Sequence, residues 1–158
     1  MTDERSLHRA TPSSLELLAA NERAIAALYE EYARQHRDND AFWLELASAE
    51  YRHATWIEAL STRETSEDTK GSRFRRESIQ SFIRYVKDQE EVARRNGIAF
   101  ATALSLAYFI ETALIERRFF EQLEPQGSNA QRLMSNLQRE TEQHVNRVKD
   151  ELSRAKGV

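Results

Sequence analysis

The chain has 158 residues and a formal net charge of −3, and 31% of its residues are charged. That length suits one domain, so we predict a single domain over residues 1–158 with a core from about residue 12 to residue 155. The absence of cysteine excludes disulfides, iron–sulfur clusters and thiolate zinc sites. Only four glycines and two prolines interrupt the chain, which favours long helices and an all-α fold.

No stretch of the sequence has the character of a membrane span or a secretory leader. The apolar runs fall short of the ~20 residues that a bilayer requires, and residues 1–10 are polar and charged. We therefore expect a protein that binds no membrane and lies in the cytoplasm. The net negative charge likewise argues against a nucleic-acid partner.

The first half of the chain predicts a helical hairpin. A helix is expected over residues 12–35, with Thr11 as its N-cap and a proline in its first turn. A second helix is expected over residues 40–60. The polar link between them, residues 36–39, is so short that the two helices must pack as an antiparallel pair.

The second half begins with a polar segment, residues 61–72, which we interpret as a loop or crossover. A shorter helix over residues 74–95 is expected to lie across the bundle, and its apolar face makes a homodimer plausible. Helices over residues 99–123 and 128–155 form a second hairpin, with Tyr108 on the inner face of the former. The prediction is thus a four-helix bundle of two antiparallel hairpins, joined by a long connection that carries one extra short helix.

Charged side chains fall inside the apolar stripes of these helices. Glu50 and His53 are one turn apart in a stripe that also holds Trp43, Leu46, Ile57 and Leu60. Burying a carboxylate and an imidazole is costly unless something pairs with them. The stripes of the other three helices contain Glu22, Glu111 and His144 in turn.

The distances of these residues from the two predicted turns place them at one level of the bundle. At a rise of ~1.5 Å per residue, Glu22, Glu50 and His53 lie within about a turn of one height, and Glu111 and His144 repeat that arrangement. A single such glutamate is usually an edge residue, and a single buried histidine is usually satisfied by the core. Four helices that deliver carboxylates and imidazoles to one layer instead predict a metal site.

With these residues the chain resembles a rubrerythrin-type member of the ferritin-like superfamily, over nearly all of residues 12–155 but without a rubredoxin domain. The resemblance implies a di-iron carboxylate site. Glu22 and His53 would be terminal ligands of one metal, and Glu111 and His144 of the other. Glu50 would bridge the two.

The chain departs from the family pattern on the last helix. The second bridging glutamate should stand three residues before His144, where the chain has Thr141. Glu140 is a weaker candidate ligand, because it points about 80° around the helix from the apolar face. The site therefore holds either two metals or one, and a single structural zinc or manganese ion is an alternative to iron.

The function implied by the resemblance is that of a non-haem di-iron oxidoreductase, with ferroxidase or peroxide-reducing activity on O₂, peroxide or ferrous iron. Because the chain has no cysteine, a redox cycle would need an external electron donor. Tyr29 and Tyr108 share stripes with Glu22 and Glu111 and are candidate catalytic residues, although ordinary core tyrosines are the alternative. The alternative function is a helical-bundle scaffold that has lost catalysis, which Thr141 favours.

Overall fold

The computed structural model of the chain describes residues 11–61, 70–116 and 128–157. Five α-helices and one short 3-10 turn make up the secondary structure of these residues, which contain no strand. The prediction of an all-α fold is therefore confirmed. Within these ranges, no helix combines the length and the apolar character that crossing a membrane requires.

Helix α1 spans Ser14–Gln35 and begins at a reciprocal pair of caps. The Ser13 hydroxyl accepts a 3.1 Å hydrogen bond from the Glu16 amide, and the Glu16 carboxylate accepts one of 3.3 Å from the Ser13 amide. The prediction of Thr11 as N-cap was wrong. A serine followed three residues later by a glutamate provides acceptors for two backbone N–H groups that have no partner within the helix. A lone threonine cannot do this.

Helix α2 spans Asp40–Ser61 and follows α1 after a 3-10 turn at Arg37–Asn39. The two helices pack against each other along their length as the predicted antiparallel pair. Tyr32 meets Trp43 edge-on near the turn, with ring centroids 4.9 Å apart. Arg23 pairs with Glu58 toward the other end.

Helix α3 spans Lys70–Asn96, so the extra helix is not short, and that part of the prediction was wrong. It packs against α1, with the C-terminal ends of both helices side by side, instead of crossing the bundle. The helix begins at Lys70, before its apolar pattern starts near Phe74. Most of the predicted loop, residues 62–69, lies outside the described residues.

The apolar face of α3, which suggested a homodimer, is mostly buried inside the chain. Its buried residues are Ile79, Phe82, Ile83, Val86 and Ala93. Phe74 and Val92 remain exposed, at 76% and 51% of their surface. The face that prompted the homodimer prediction thus packs within the chain itself.

A polar clamp joins the end of α1 to the end of α3. The Gln35 amide nitrogen donates to the Ala93 carbonyl at 2.7 Å, and the Gln35 amide oxygen accepts from the Ile98 amide at 3.0 Å. Gly97 ends α3 with a φ of +69°, and its amide donates to the Ala93 carbonyl at 2.8 Å. The left-handed conformation that stops the helix is one that glycine adopts without strain.

Helices α4, Phe100–Glu116, and α5, Ser128–Ala155, complete the described structure. They pack against each other, and α5 also contacts α2. The predicted end of the third bundle helix, residues 117–123, lies outside the described residues. These contacts bring α1, α2, α4 and α5 around one set of buried polar side chains, while α3 packs outside them against α1.

Candidate metal centre

Five ionisable side chains that were predicted to meet do lie together in the interior. They come from four helices, α1, α2, α4 and α5, and none is more than 6% exposed. The five residues are Glu22, Glu50, His53, Glu111 and His144. Ionisable groups are almost never fully buried without a partner, so this concentration calls for a chemical explanation.

The five residues form two groups of three that share Glu50. Glu22, Glu50 and His53 make up the N-terminal triad, and Glu50, Glu111 and His144 make up the C-terminal triad. Within each triad the potential ligand atoms all lie within 4.8 Å of one another. Each triad offers carboxylate oxygen and imidazole nitrogen in a cluster tight enough to hold a metal ion.

Glu50 lies between the two histidines and directs one oxygen to each. Its Oε2 is 3.2 Å from His53 Nδ1, and its Oε1 is 2.7 Å from His144 Nδ1. His144 Nδ1 also lies 3.7 Å from Glu111 Oε2. The imidazole rings stack nearly parallel, 5.6 Å apart. Both histidines therefore present the same ring nitrogen to the shared carboxylate.

Several of these atoms lack an aligned hydrogen bond within the described residues. They are both carboxylate oxygens of Glu22, Glu50 Oε1, Glu111 Oε2 and His144 Nδ1. Glu50 and His144 are thus close enough for an ion pair but do not align as donor and acceptor. Leaving ionised groups buried and unpaired is costly. A bound cation would supply the partner that all of these atoms lack.

Burial and mutual repulsion hold protons in this cluster when no cation is present. Burial, followed by the charge of Glu50, raises the pKa of Glu22 well above its ordinary value, and the same two causes raise the pKa of Glu111. Burial also opposes ionisation of Glu50, but the neighbouring Glu22, His144 and His53 outweigh it and lower the pKa of Glu50. Of these two carboxyl groups, Glu22 therefore favours the proton and Glu50 favours the negative charge.

His144 carries a proton for a related reason. Burial disfavours its charged form, but the neighbouring Glu111 and Glu50 outweigh burial and raise the pKa of His144 to about 10. The pKa of His53 is raised as well, because Glu50 and Glu140 outweigh the burial of its ring. A cation that takes the Nδ1 lone pair of His144 must therefore displace a proton.

Glu140 lies outside both triads, on the opposite side of the His53 ring. Its Oε2 is hydrogen-bonded to His53 Nε2, the nitrogen that points away from Glu50. Arg52 lies 3.4 Å from the same carboxylate and stacks on Trp56 at 5.4 Å. The structure therefore places this predicted weak ligand where it can fix the ring orientation and tautomer of His53.

Thr141 is buried, at 1% exposure, but also lies outside both triads. Its hydroxyl donates a 2.8 Å hydrogen bond to the Leu137 carbonyl, one turn back on α5. The one proton of that hydroxyl is therefore committed to the backbone. Of the two weak candidates, neither Glu140 nor Thr141 joins the clustered ligand atoms.

The two candidate catalytic tyrosines have different environments. The Tyr29 hydroxyl donates a 2.6 Å hydrogen bond to Glu111 Oε1 and is fully buried. Tyr108 is 36% exposed and lines a surface cleft with Lys149 and Leu152 of α5. The prediction that Tyr108 faces inward was wrong, because α4 turns Leu104, Ala107 and Glu111 to the interior instead.

Sequence reasoning missed the contribution of Arg52. It is an exposed residue between Glu50 and His53, and no periodicity distinguishes it from other surface arginines. Its contact with Glu140 depends on how α2 and α5 lie beside each other, so the only available signal was its position next to the Glu-x-x-His pair.

Comparison of the chain with protein-family models, with curated proteins and with solved structures finds no match. What the chain itself presents is an all-α arrangement with two buried carboxylate–histidine triads that share Glu50. Those triads could hold a metal ion, and they are the basis of the function proposed next.

Proposed function

We propose that the chain is a ferritin-like four-helix metal-carboxylate protein that binds iron and acts on O₂, peroxide or ferrous iron. The observation that carries the proposal is the pair of buried triads with Glu50 in common. Carboxylate–histidine sets contributed by four helices are a recurring way of holding two metal ions in a helical bundle. The unpaired oxygens of Glu22 support the same conclusion, since no described side chain satisfies them.

The donor set is compatible with iron. Three carboxylates and two imidazoles suit iron, manganese and zinc, and the chain has no cysteine that would favour a softer ion. In this proposal Glu22 and His53 bind one ion, while Glu111 and His144 bind the other. Glu50 would be shared by the two ions, since it lies between the two histidines.

The surrounding residues supply positioning and proton control. Tyr29 holds one oxygen of Glu111 and leaves the other directed toward His144. Glu140 holds the outer nitrogen of His53, so Nδ1 stays directed at the site. Bound ferrous iron would supply electrons for the reduction of O₂ or peroxide, and an external donor would restore them, because the chain has no cysteine cluster of its own.

One set of contacts favours a second candidate function, a helical scaffold without catalysis. Glu50 is paired with both histidines and Glu111 with Tyr29, so much of the polar cluster is satisfied without a metal. Glu22 differs from the other two glutamates, because neither of its carboxylate oxygens has a hydrogen-bond partner among the described residues. The scaffold hypothesis predicts that metal-free protein keeps its full stability and that chelators leave its melting temperature unchanged.

Metal content is the deciding measurement. Metal-free protein titrated with ferrous iron under argon should bind about two ions per chain. Glu50→Ala should lose both, whereas Glu22→Ala should lose one. Glu142→Ala, an exposed glutamate on α5, is the matched control and should bind as the parent does. Absence of bound metal after reconstitution would reject the proposal in favour of the scaffold.

The reaction can then be assigned by changing the oxidant. Iron-loaded protein is mixed with O₂ or with hydrogen peroxide, and ferric absorbance and oxidant consumption are followed together. Oxidation by O₂ with repeated uptake of ferrous iron would indicate a ferroxidase. Rapid consumption of peroxide that continues only with an added reductant would indicate a peroxide reductase. Loss of either activity in Glu50→Ala, but not in Glu142→Ala, would assign it to the proposed site.

A further inference from the structure

The two helices that carry the histidines differ at one buried position. Helix α2 has Glu50 three residues before His53, and α5 has Thr141 three residues before His144. Residues three apart lie on the same face of a helix, so Thr141 occupies the position on α5 that Glu50 occupies on α2. Thr141 is 1% exposed, so it faces the interior as Glu50 does.

Thr141 contributes no charge to this interior. Its hydroxyl proton is donated to the Leu137 carbonyl, so the side chain offers only a neutral oxygen. Glu140 does not replace the missing carboxylate, because it lies at the rim, is 22% exposed and is paired with Arg52. The charges of Glu140 and Arg52 largely cancel.

A count of charges shows the consequence for a site with two ions. The triads contain three different glutamates, so two divalent cations bring four positive charges against three negative ones. With neutral histidines, one positive charge is left over in a region where no ligand is more than 6% exposed. An uncompensated buried charge is strongly unfavourable, whereas a single ion leaves no excess of positive charge.

We propose that the second metal ion is taken up together with one small monovalent oxyanion, of which a carboxylate such as formate is the simplest, bound beside Thr141. This inference rests on the proposed function, since the metal ions supply the charge that the anion balances. The anion replaces the carboxylate that a glutamate at this position would provide. It must be small, because the position beside Thr141 is buried.

Cobalt and formate test the proposal without reliance on activity. Metal-free protein is titrated with Co²⁺ at constant ionic strength, with and without formate. A formate concentration of about 10 mM is high enough to occupy a site that binds a carboxylate weakly. Bound cobalt is measured by equilibrium dialysis and its visible spectrum is recorded. The first cobalt should bind equally in both conditions. Formate should tighten the second at least about tenfold and change the spectrum of the two-cobalt form only.

Two variants separate charge from the hydroxyl group. Thr141→Val keeps the size and removes the hydroxyl, and it should respond to formate as the parent does. Thr141→Glu supplies the missing charge and should bind two cobalt ions with no response to formate. If Thr141→Glu does not fold, Thr141→Asp takes its place, and the titration of the parent protein is decisive in any case.

The failing outcomes are distinct. A second cobalt that binds equally well without formate, or a Thr141→Glu protein that still needs formate, would overturn the anion site. One cobalt per chain in both conditions would overturn it too, but would leave metal binding by the protein intact. Only the absence of any bound cobalt would count against the proposed function itself, and the anion site would fail with it.

Discussion

The hydroxyl of Tyr29 on α1 donates a 2.6 Å hydrogen bond to Glu111 Oε1 on α4. Both side chains are fully buried, so neither can turn to water for a replacement partner. The bond crosses from the first helical pair to the second and ends on a residue of the C-terminal triad. It therefore connects the stability of the fold with the ionisation of a candidate ligand.

Replacing Tyr29 with phenylalanine should lower both stability and metal affinity. The lost bond leaves a buried carboxylate oxygen unpaired, which costs about 1–3 kcal/mol in the free energy of unfolding. It should also raise the pKa of Glu111 further, because Tyr29 is one of the groups that favour its ionised form. Tyr32→Phe is the control, since the Tyr32 hydroxyl has no partner among the described residues. Urea unfolding should show a loss for Tyr29→Phe alone, and equal losses would contradict the role of this bond.

The metal-free protein should become less stable as the pH rises from 6.5 to about 10. His144 has a folded pKa of about 10 against an ordinary value of 6.5, so the folded state holds more protons than the unfolded state in this range. The stabilisation is complete below pH 6.5 and is lost as the pH approaches 10. Each proton accounts for a slope of at most about 1.4 kcal/mol per pH unit. Urea unfolding at several pH values measures the slope, and a rising stability would contradict the prediction.

Metal binding near neutral pH should release protons. His144 carries a proton and Glu22 holds one against its ordinary tendency, and a cation must displace both to reach their donor atoms. Calorimetric titrations with Zn²⁺ in buffers of different ionisation enthalpy count the protons released. We expect at least one proton per chain and an affinity that falls as the pH is lowered. An equal heat of binding in all buffers would show that these groups are already deprotonated.

Glu140 should affect metal affinity through His53. Removal of the carboxylate in Glu140→Ala frees the outer ring nitrogen and should weaken metal binding 10- to 100-fold, the usual effect of losing such a partner. Glu140→Gln still accepts a hydrogen bond from the ring and should recover most of the affinity. If Glu140 were itself a ligand, the glutamine variant would be as weak as the alanine variant. Glu142→Ala serves as the exposed control.

Substitution of Gly97 should lower the stability of the protein through backbone conformation alone. A Cβ at Gly97 would lie 3.8 Å from the Gln35 amide oxygen, an ordinary contact, so no clash is expected. The φ of +69° is the unfavourable feature for alanine, at about 1–2 kcal/mol. Gly97→Asn should cost less, because asparagine tolerates this region better. Thermal unfolding of both variants decides the point, and equal melting temperatures would argue against backbone strain.

The positions of the five clustered residues could be predicted because each depends on helical periodicity and rise. Glu50 and His53 lie in a stripe whose other members are large and apolar, so their inward direction followed from spacing alone. The ends of α2 and α5 were also close to their predicted positions. Helical periodicity and the positions of these helix ends are local properties, and the described residues show both as predicted.

Tyr108 shows where periodicity fails. Helix α4 is apolar on most sides and has few charged residues, so its stripe can be drawn through Tyr108 or through Ala107 with similar merit. In the structure the smaller residue, Ala107, is buried and Tyr108 is partly exposed. The contact between Arg52 and Glu140 could not be predicted for a different reason. It depends on the register of α2 against α5, and no short-range pattern encodes it.

The two triads draw on different helices, and this affects the order in which they form as the chain folds. The N-terminal triad is complete within one helical hairpin, α1 and α2, whose members are close in sequence. The C-terminal triad joins α2 to α4 and α5 and closes a much longer loop. Contacts of low sequence separation form faster, because less chain entropy is lost before they are made. A metal ion that binds the hairpin first would hold Glu50 in place while the rest of the chain folds against it. The N-terminal triad would then form early in folding, and the C-terminal triad would form late.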